Sequence, residues 1–429
     1  MTRSATEQFM GAKLASLIAR SQRLTTLTPD RLGLRPQDMA YAPSESHFAA
    51  ANRRLAAIST EIQRRRESLR QSWPSANHQQ RLIGMAMLER EVDRLRRTFG
   101  MLFEIFMQRG TSFAPALAAH DAIAVDCYAA VRRAAPEVMH RPLLKPVTYM
   151  EHGYSPATQR RGIQLARLLG DSNPFPVIRI PWDRDNPWQS VFLHEVAHNL
   201  QADMRLWQEN QTALANRMRR LAPNQIVAAA YRRWHKEIFA DLAALLLGGP
   251  ASAAGMMAFL ANPQPRALTY RPGGAHPTAY VRGFILAAMV DRMGFAREAA
   301  QGREVWRNLY DPARGSRLPP GLLTSMSRVV AEVVDEIAYQ PRMALGQRAL
   351  ADVIPFTRAD HVAIRRGAMQ LSAGRVPTDL PPRFIVGASG LALAAGASAS
   401  TLSNRVIAHL ASIAAAGRAR STIPHQRAA

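Results

Sequence analysis

Residues 191–200 read VFLHEVAHNL, which places His194 and His198 four residues apart with Glu195 directly after the first histidine. If the segment is helical, both imidazoles lie on one face within reach of a single metal ion, and Glu195 points beside that ion toward a bound water. The helix is expected on local grounds. Asn186 is a capping residue type, Pro187 fits a first helical position, and good helix formers follow. Such an arrangement does metal-assisted hydrolysis: water is deprotonated, a carbonyl is attacked, and the proton returns to the leaving group.

A third metal ligand is needed, and residues 225–247 offer one. Asn224 can cap a helix there and Gly248 can end it. Glu237 and Asp241 share one face of that helix, and Ile238, Ala240 and the apolar run 242–247 make it a buried one. Two carboxylates buried without partners would cost several kcal/mol, roughly, and a zinc ion removes that cost. Glu237 can complete the ligand set with His194 and His198, and Asp241 can accept the outward N–H of a liganding histidine. Glu209 is an alternative third ligand, but no buried helix accompanies it.

HEVAH followed on a later helix by EIFAD resembles the gluzincin class of zinc metallopeptidases, whose pattern is HExxH and then ExxxD. The resemblance spans residues 176–282, about a quarter of the chain. It implies that Glu237 is the third zinc ligand and that Asp241 supports a ligand histidine. It also implies a small sheet whose substrate-lining edge would be the strand before the motif helix, here 177–180. The metzincin extension is absent, since residues 199–205 contain no third histidine.

Beyond the motif, His276 follows Gly273 and Gly274 and precedes Pro277, so it is expected in a loop just before a helix. It can hydrogen-bond the oxyanion of a tetrahedral intermediate, with Tyr280 as second choice for that role and Arg282 on the same first turns. A capping or surface role for His276 is the competing reading. His235, two residues before Glu237, faces away from it and is expected at the surface. Asp203 reads as a solvated acid or as a support outside the ligand shell, and Cys127 as a small buried residue.

The elements that must position these groups are mostly helices. Apolar residues recur at three- and four-residue steps over 46–70 and 79–107, with Leu55, Ile58 and Ile62 in the first and Leu88, Val92, Leu95, Phe99 and Leu102 in the second. A third helix is expected over 113–134, short strands over 147–150 and 177–180, and a C-terminal helix over 322–338. The fold class expected is mainly α with a small β-sheet, a zincin-like catalytic core between helical regions. The expected divisions are a mobile arm over 1–45, a helical domain over 46–145, the catalytic domain over 146–310 and a helical region over 311–429 ending in a loose basic tail.

Composition narrows the rest. The 429 residues carry 55 basic and 32 acidic side chains, a formal net charge of +23, with Lys13, Lys145 and Lys236 as the only lysines. Arginines are spread along the chain and form no single stripe, so the charge supports only a non-specific anionic partner. One cysteine, Cys127, excludes an intrachain disulfide and a thiolate zinc cage. No secretory signal is read at the N-terminus, so cytoplasmic residence is the default. The uncharged stretches 242–261 and 384–402 are expected to be buried helices and not membrane spans, because Gly248-Gly249-Pro250 interrupts the first and the second is mostly Ala, Gly and Ser. These observations lead to a zinc metallohydrolase acting on a peptide or protein, with His194, His198 and Glu237 on zinc, Glu195 as base and Asp241 behind a ligand. The alternative is a helical binding or regulatory protein that keeps the zinc site for structure; Glu195, which a structural site does not need, favours the enzyme.

Overall fold

The computed structural model describes residues 4–139, 144–160, 173–221 and 224–422. The chain is mainly helical with one small three-stranded sheet, and it divides into two compact units. The first comprises Met1–Ala114, Gln159–Val177 and Arg418–Ala429; the second comprises Pro115–Thr158 and Ile178–Gly417.

The first unit contains α1 (Ala5–Gln22), α2 (Glu45–Ser72) and α3 (His78–Met107). Leu55, Ile58 and Ile62 of α2 and Leu88, Val92, Leu95 and Leu102 of α3 are buried, as their spacing requires. Each such side chain contributes about 1.5–3 kcal/mol when fully removed from water. Residues 1–45, expected as a mobile arm, instead hold a helix. A reciprocal capping box between Ser4 and Glu7 starts α1, Met10 and Leu17 one heptad apart are buried, and Lys13 and Arg20 both pair with Glu89 of α3.

The second unit runs through α4 (Ala114–Ala134), β1 (Val147–Met150), β2 (Ala157–Gln159), β3 (Val177–Ile180), α5 (Val191–Asp203), α6 (Trp207–Leu221), α7 (Gln225–Gly248), α8 (Pro250–Leu260), the single turn α9 (Gln264–Ala267), α10 (Ala279–Arg292), α11 (Ala296–Leu309) and α12 (Pro320–Val334). A π-helical turn, Asp335–Tyr339, continues α12, and α13 (Leu350–Val353), α14 (Arg358–Ser372), α15 (Pro382–Ala394) and α16 (Ala399–Thr422) follow. At its centre stands α7, against which α5, α6, α8, α10, α12 and α15 pack. Its side chains are buried continuously from Glu237 to Gly248, so that stretch is apolar all round apart from its two carboxylates.

The expected divisions at 145 and 310 are not where the units part. Helix α4 belongs with the second unit, because Asp121 accepts from Thr148 of β1, Tyr128 donates to Asp203, and Asp126 pairs with Arg383 of α15. No boundary falls at 310 either: Glu332 of α12 pairs with Arg217 of α6, and Arg342 donates to Asn210. The expected loose tail is helical as far as Thr422, and residues 423–429 lie outside the described ones.

No helix among the described residues is long and apolar enough to cross a membrane. Of the two uncharged stretches, the first breaks between α7 and α8 at Gly249, whose φ of 73° is a left-handed value glycine adopts without a Cβ clash. The second breaks between α15 and α16.

Candidate metal centre

The motif helix α5 begins at Val191, later than the Asn186-Pro187 signal predicts. Residues 187–190 form turns, Ser190 stands at the N-cap without a side-chain bond, and the Asn186 side chain accepts from Ser403. A tertiary partner has taken the capping group. The second helix follows its local signals closely: Asn224 accepts from the Ile226 N–H at the start of α7, and Gly249 closes its end.

On α5, His194 and His198 face one another with ring centroids 4.6 Å apart and planes at 84°. Glu237 of α7 reaches both, its Oε2 lying 3.3 Å from His194 Nε2 and its Oε1 3.4 Å from His198 Nε2. Among the described residues this is the one group of three metal-capable side chains whose ligand atoms lie together, all within 4.8 Å. Two ligands on a tetrahedral zinc at about 2.0–2.1 Å stand about 3.3–3.4 Å apart, so the Glu237 contacts already have the length of the edges of such a site. The donor set of two imidazoles and one carboxylate is one that zinc takes in sites with an open position. His194 and Glu237 are buried and His198 nearly so.

Behind the ligands stands a second layer of charge. Asp241, wholly buried, lies 2.8 Å from His194 Nδ1 and also receives two bonds from the Arg282 guanidinium, 2.8 Å from Nε and 2.6 Å from Nη2. Burial opposes the charged form of His194, but the bonds and charges of Asp241 and Glu237 override it and hold its pKa up at about 10. Burial likewise works against the Glu237 carboxylate, yet its bonds to the two histidines keep it well below the usual carboxylate range. Asp241 is also held low, against burial, by Arg282 and His194. The cluster is therefore charge-matched, which is how buried ionised groups persist.

Glu195 is also buried, and its burial is the main reason its pKa is pushed up to about 7, against the pull of the His194 charge. A backbone hydrogen bond from Thr158 of β2 favours its ionised form. Asn199, one turn further along α5, donates to the Thr158 hydroxyl at 2.6 Å and to the Glu195 carbonyl at 3.2 Å. Strand β2 thus lies along the motif helix. The sheet order is β1-β3-β2, so 177–180, expected as the edge, is the central strand, and β2 is an edge that no alternation or β-branched run announced.

His276 lies in the turn before α10 and is exposed, with Nε2 3.3 Å from Glu237 Oε2. It comes to the centre from the solvent side. Tyr280 does not join it. Its ring packs on Phe284 and Tyr310, with centroids 5.1 and 6.4 Å away, and it lines a different cleft. The reason is helical geometry: Arg282, two residues on and so about 200° round the helix, is the residue that α10 turns toward Asp241. The orientation of α10 is set by Gly283, where a Cβ would overlap the Trp306 indole, and by Trp306 Nε1 donating to the Tyr280 carbonyl at 2.9 Å.

The remaining candidates lie elsewhere. His235 is fully buried, not at the surface; it sits edge-on to Trp207 with Nδ1 bonded to the Arg232 carbonyl, pointing away from Glu237. Asp203 accepts from Tyr128 at 2.7 Å, and Glu209 accepts from the backbone N–H groups of Met343 and Ala344. Cys127 is buried. Two contributors, Thr158 and the ion-pairing role of Arg282, were not assigned from sequence. The buried charge of Asp241 was the available signal for the second, since it requires a cation beside it.

The chain matches no family model, no curated protein and no solved structure.

Proposed function

We propose that this chain is a zinc-dependent hydrolase with a gluzincin-like core, acting on amide bonds of peptides or proteins. His194, His198 and Glu237 would hold the ion, and Asp241 would fix the ring orientation of His194 through Nδ1. Bound there, zinc supplies a Lewis acid that polarises a carbonyl and activates water near neutral pH.

The chain's own residues account for the rest. The Glu195 carboxylate takes the proton of the attacking water and returns it to the leaving nitrogen; a pKa near 7 suits it to both transfers. His276 donates a hydrogen bond to the developing oxyanion from the open side of the centre. Strand β2 offers the edge along which an extended substrate lies beside Glu195.

The observation that carries this reading is the pair of 3.3 and 3.4 Å edges from Glu237 to the two histidines, with a buried base next in sequence. The test is elemental analysis of wild type, Glu237→Ala and Glu195→Gln, followed by cleavage of a mixed peptide library. About one zinc per chain is expected in wild type and Glu195→Gln and little in Glu237→Ala, with cleavage in wild type alone. A wild type free of zinc after preparation with zinc present refutes the metal centre. A zinc-loaded wild type that cleaves no faster than Glu195→Gln refutes the hydrolase.

A further inference from the structure

A large cleft in the second unit lies away from the metal centre. It has a volume of about 980 Å³, is floored by α10 and is walled by α11 and α12. Its floor and one wall are two apolar rows at helical spacing. Tyr280, Phe284 and Ala288 supply the first, and Met326, Val330 and Val334 the second. Each row spans nine residues, roughly 12 Å of helix from end to end. The result is a linear slot, at the upper end of the size range of small-molecule sites.

Three arginines line this slot, and their pairing determines the charge it can accept. Arg303 is paired with Asp291 at 3.2 Å, and Arg292 with Asp335 at 3.1 Å while stacking over Tyr339. Arg307 has no ion pair among the described residues; its guanidinium stands 6.0 Å from the Phe284 ring, at the end of the slot where Tyr280 lies. Glu304, the nearest acid in sequence and about one turn earlier on α11, makes no ion pair with Arg307 among the described residues, and Asp311, four residues on, pairs with Arg314 at 3.1 Å. A cation engaged in no ion pair therefore heads an apolar track, a match for one negative charge on a long apolar chain.

We propose that this cleft binds a long-chain monocarboxylate, a fatty-acid-type amphiphile, with its carboxylate on Arg307 and its chain along the track from Phe284 to Val334. Arginine is suited to the head group because its planar fork binds a carboxylate through two parallel bonds. A dianionic phosphate or nucleotide would leave one charge unmatched against an apolar wall. This site uses none of the residues of the metal centre and does not depend on the hydrolase reading.

The test uses the full chain and dodecanoate below its micelle concentration, titrated calorimetrically, with dodecyltrimethylammonium as a probe of the same tail and opposite charge. Saturable binding at one site per chain is expected. Arg307→Gln, an exposed substitution, should weaken it at least tenfold, and Ala288→Trp, which fills the slot, should abolish it; both variants should keep the wild-type unfolding temperature. The cationic amphiphile should bind at least tenfold more weakly than dodecanoate. Absence of saturable dodecanoate binding, equal binding by Arg307→Gln, or equal binding of the cationic probe overturns the proposal. A dimer in solution that dissociates on Ala288→Trp and excludes dodecanoate assigns the slot to a second copy of the chain and overturns it too.

Discussion

His194 Nδ1 and Asp241 Oδ1 stand 2.8 Å apart, on two different helices, in a place from which water is excluded. That bond leaves His194 Nε2 as the ring nitrogen aimed at Glu237, the one whose lone pair a metal would take on displacing its proton. Replacing Asp241 by Asn keeps the size but lets the ring turn and makes it a poorer donor. Zinc affinity of Asp241→Asn, measured by competition with a chelator, should fall about 10- to 100-fold, without the full loss expected of Glu237→Ala.

Arg282 is the other partner of Asp241, through two hydrogen bonds in the same buried place. Arg282→Met removes a charge and leaves Asp241 with one bond where it had three. In urea unfolding with zinc chelated, so that metal linkage does not enter, the variant should lose about 3–5 kcal/mol, the usual cost of breaking a buried pair from one side.

His276 and Tyr280 are four residues apart in sequence, but only His276 reaches Glu237. If His276 stabilises an oxyanion, His276→Ala should retain zinc and lower turnover about 10²- to 10³-fold. Tyr280→Phe should leave both zinc content and turnover within a factor of about two, since its hydroxyl is not part of the centre. Comparable losses in the two variants would remove His276 from the oxyanion role.

Cys127 is fully buried in α4, and burial pushes its thiol pKa up, away from the thiolate that reacts. A disulfide reagent at pH 8 should modify no thiol in the folded chain and one in denaturant. Rapid modification of the native protein would mean that α4 detaches from the second unit.

How much of this could be read from the chain alone depends on the range of the physical signal. The residues of the HExxH segment and of the Glu237–Asp241 segment were legible because helical spacing, capping and burial patterns are local, and the limits of α7 followed from Asn224 and Gly248. The start of α5 was not, because Asn186 bonds to Ser403, more than two hundred residues away in sequence. The same holds for α1: a short stripe beginning at Met10 carries little weight until Glu89 of α3 pairs with both Lys13 and Arg20.

Sequence by itself therefore determined which residues are chemically able to form a metal centre, since side-chain type and helical phase are properties of neighbouring positions. Tertiary structure alone decided that α5 and α7 meet with those faces together, that Arg282 and not Tyr280 turns inward on α10, that the three residues at 157–159 form an edge strand beside Glu195, and that a charge-headed apolar cleft opens on the far face of α10. Each of these depends on contacts between segments far apart in the chain, and the pairing of distant helices is set by how their side chains fill shared space, which no local window of residues contains.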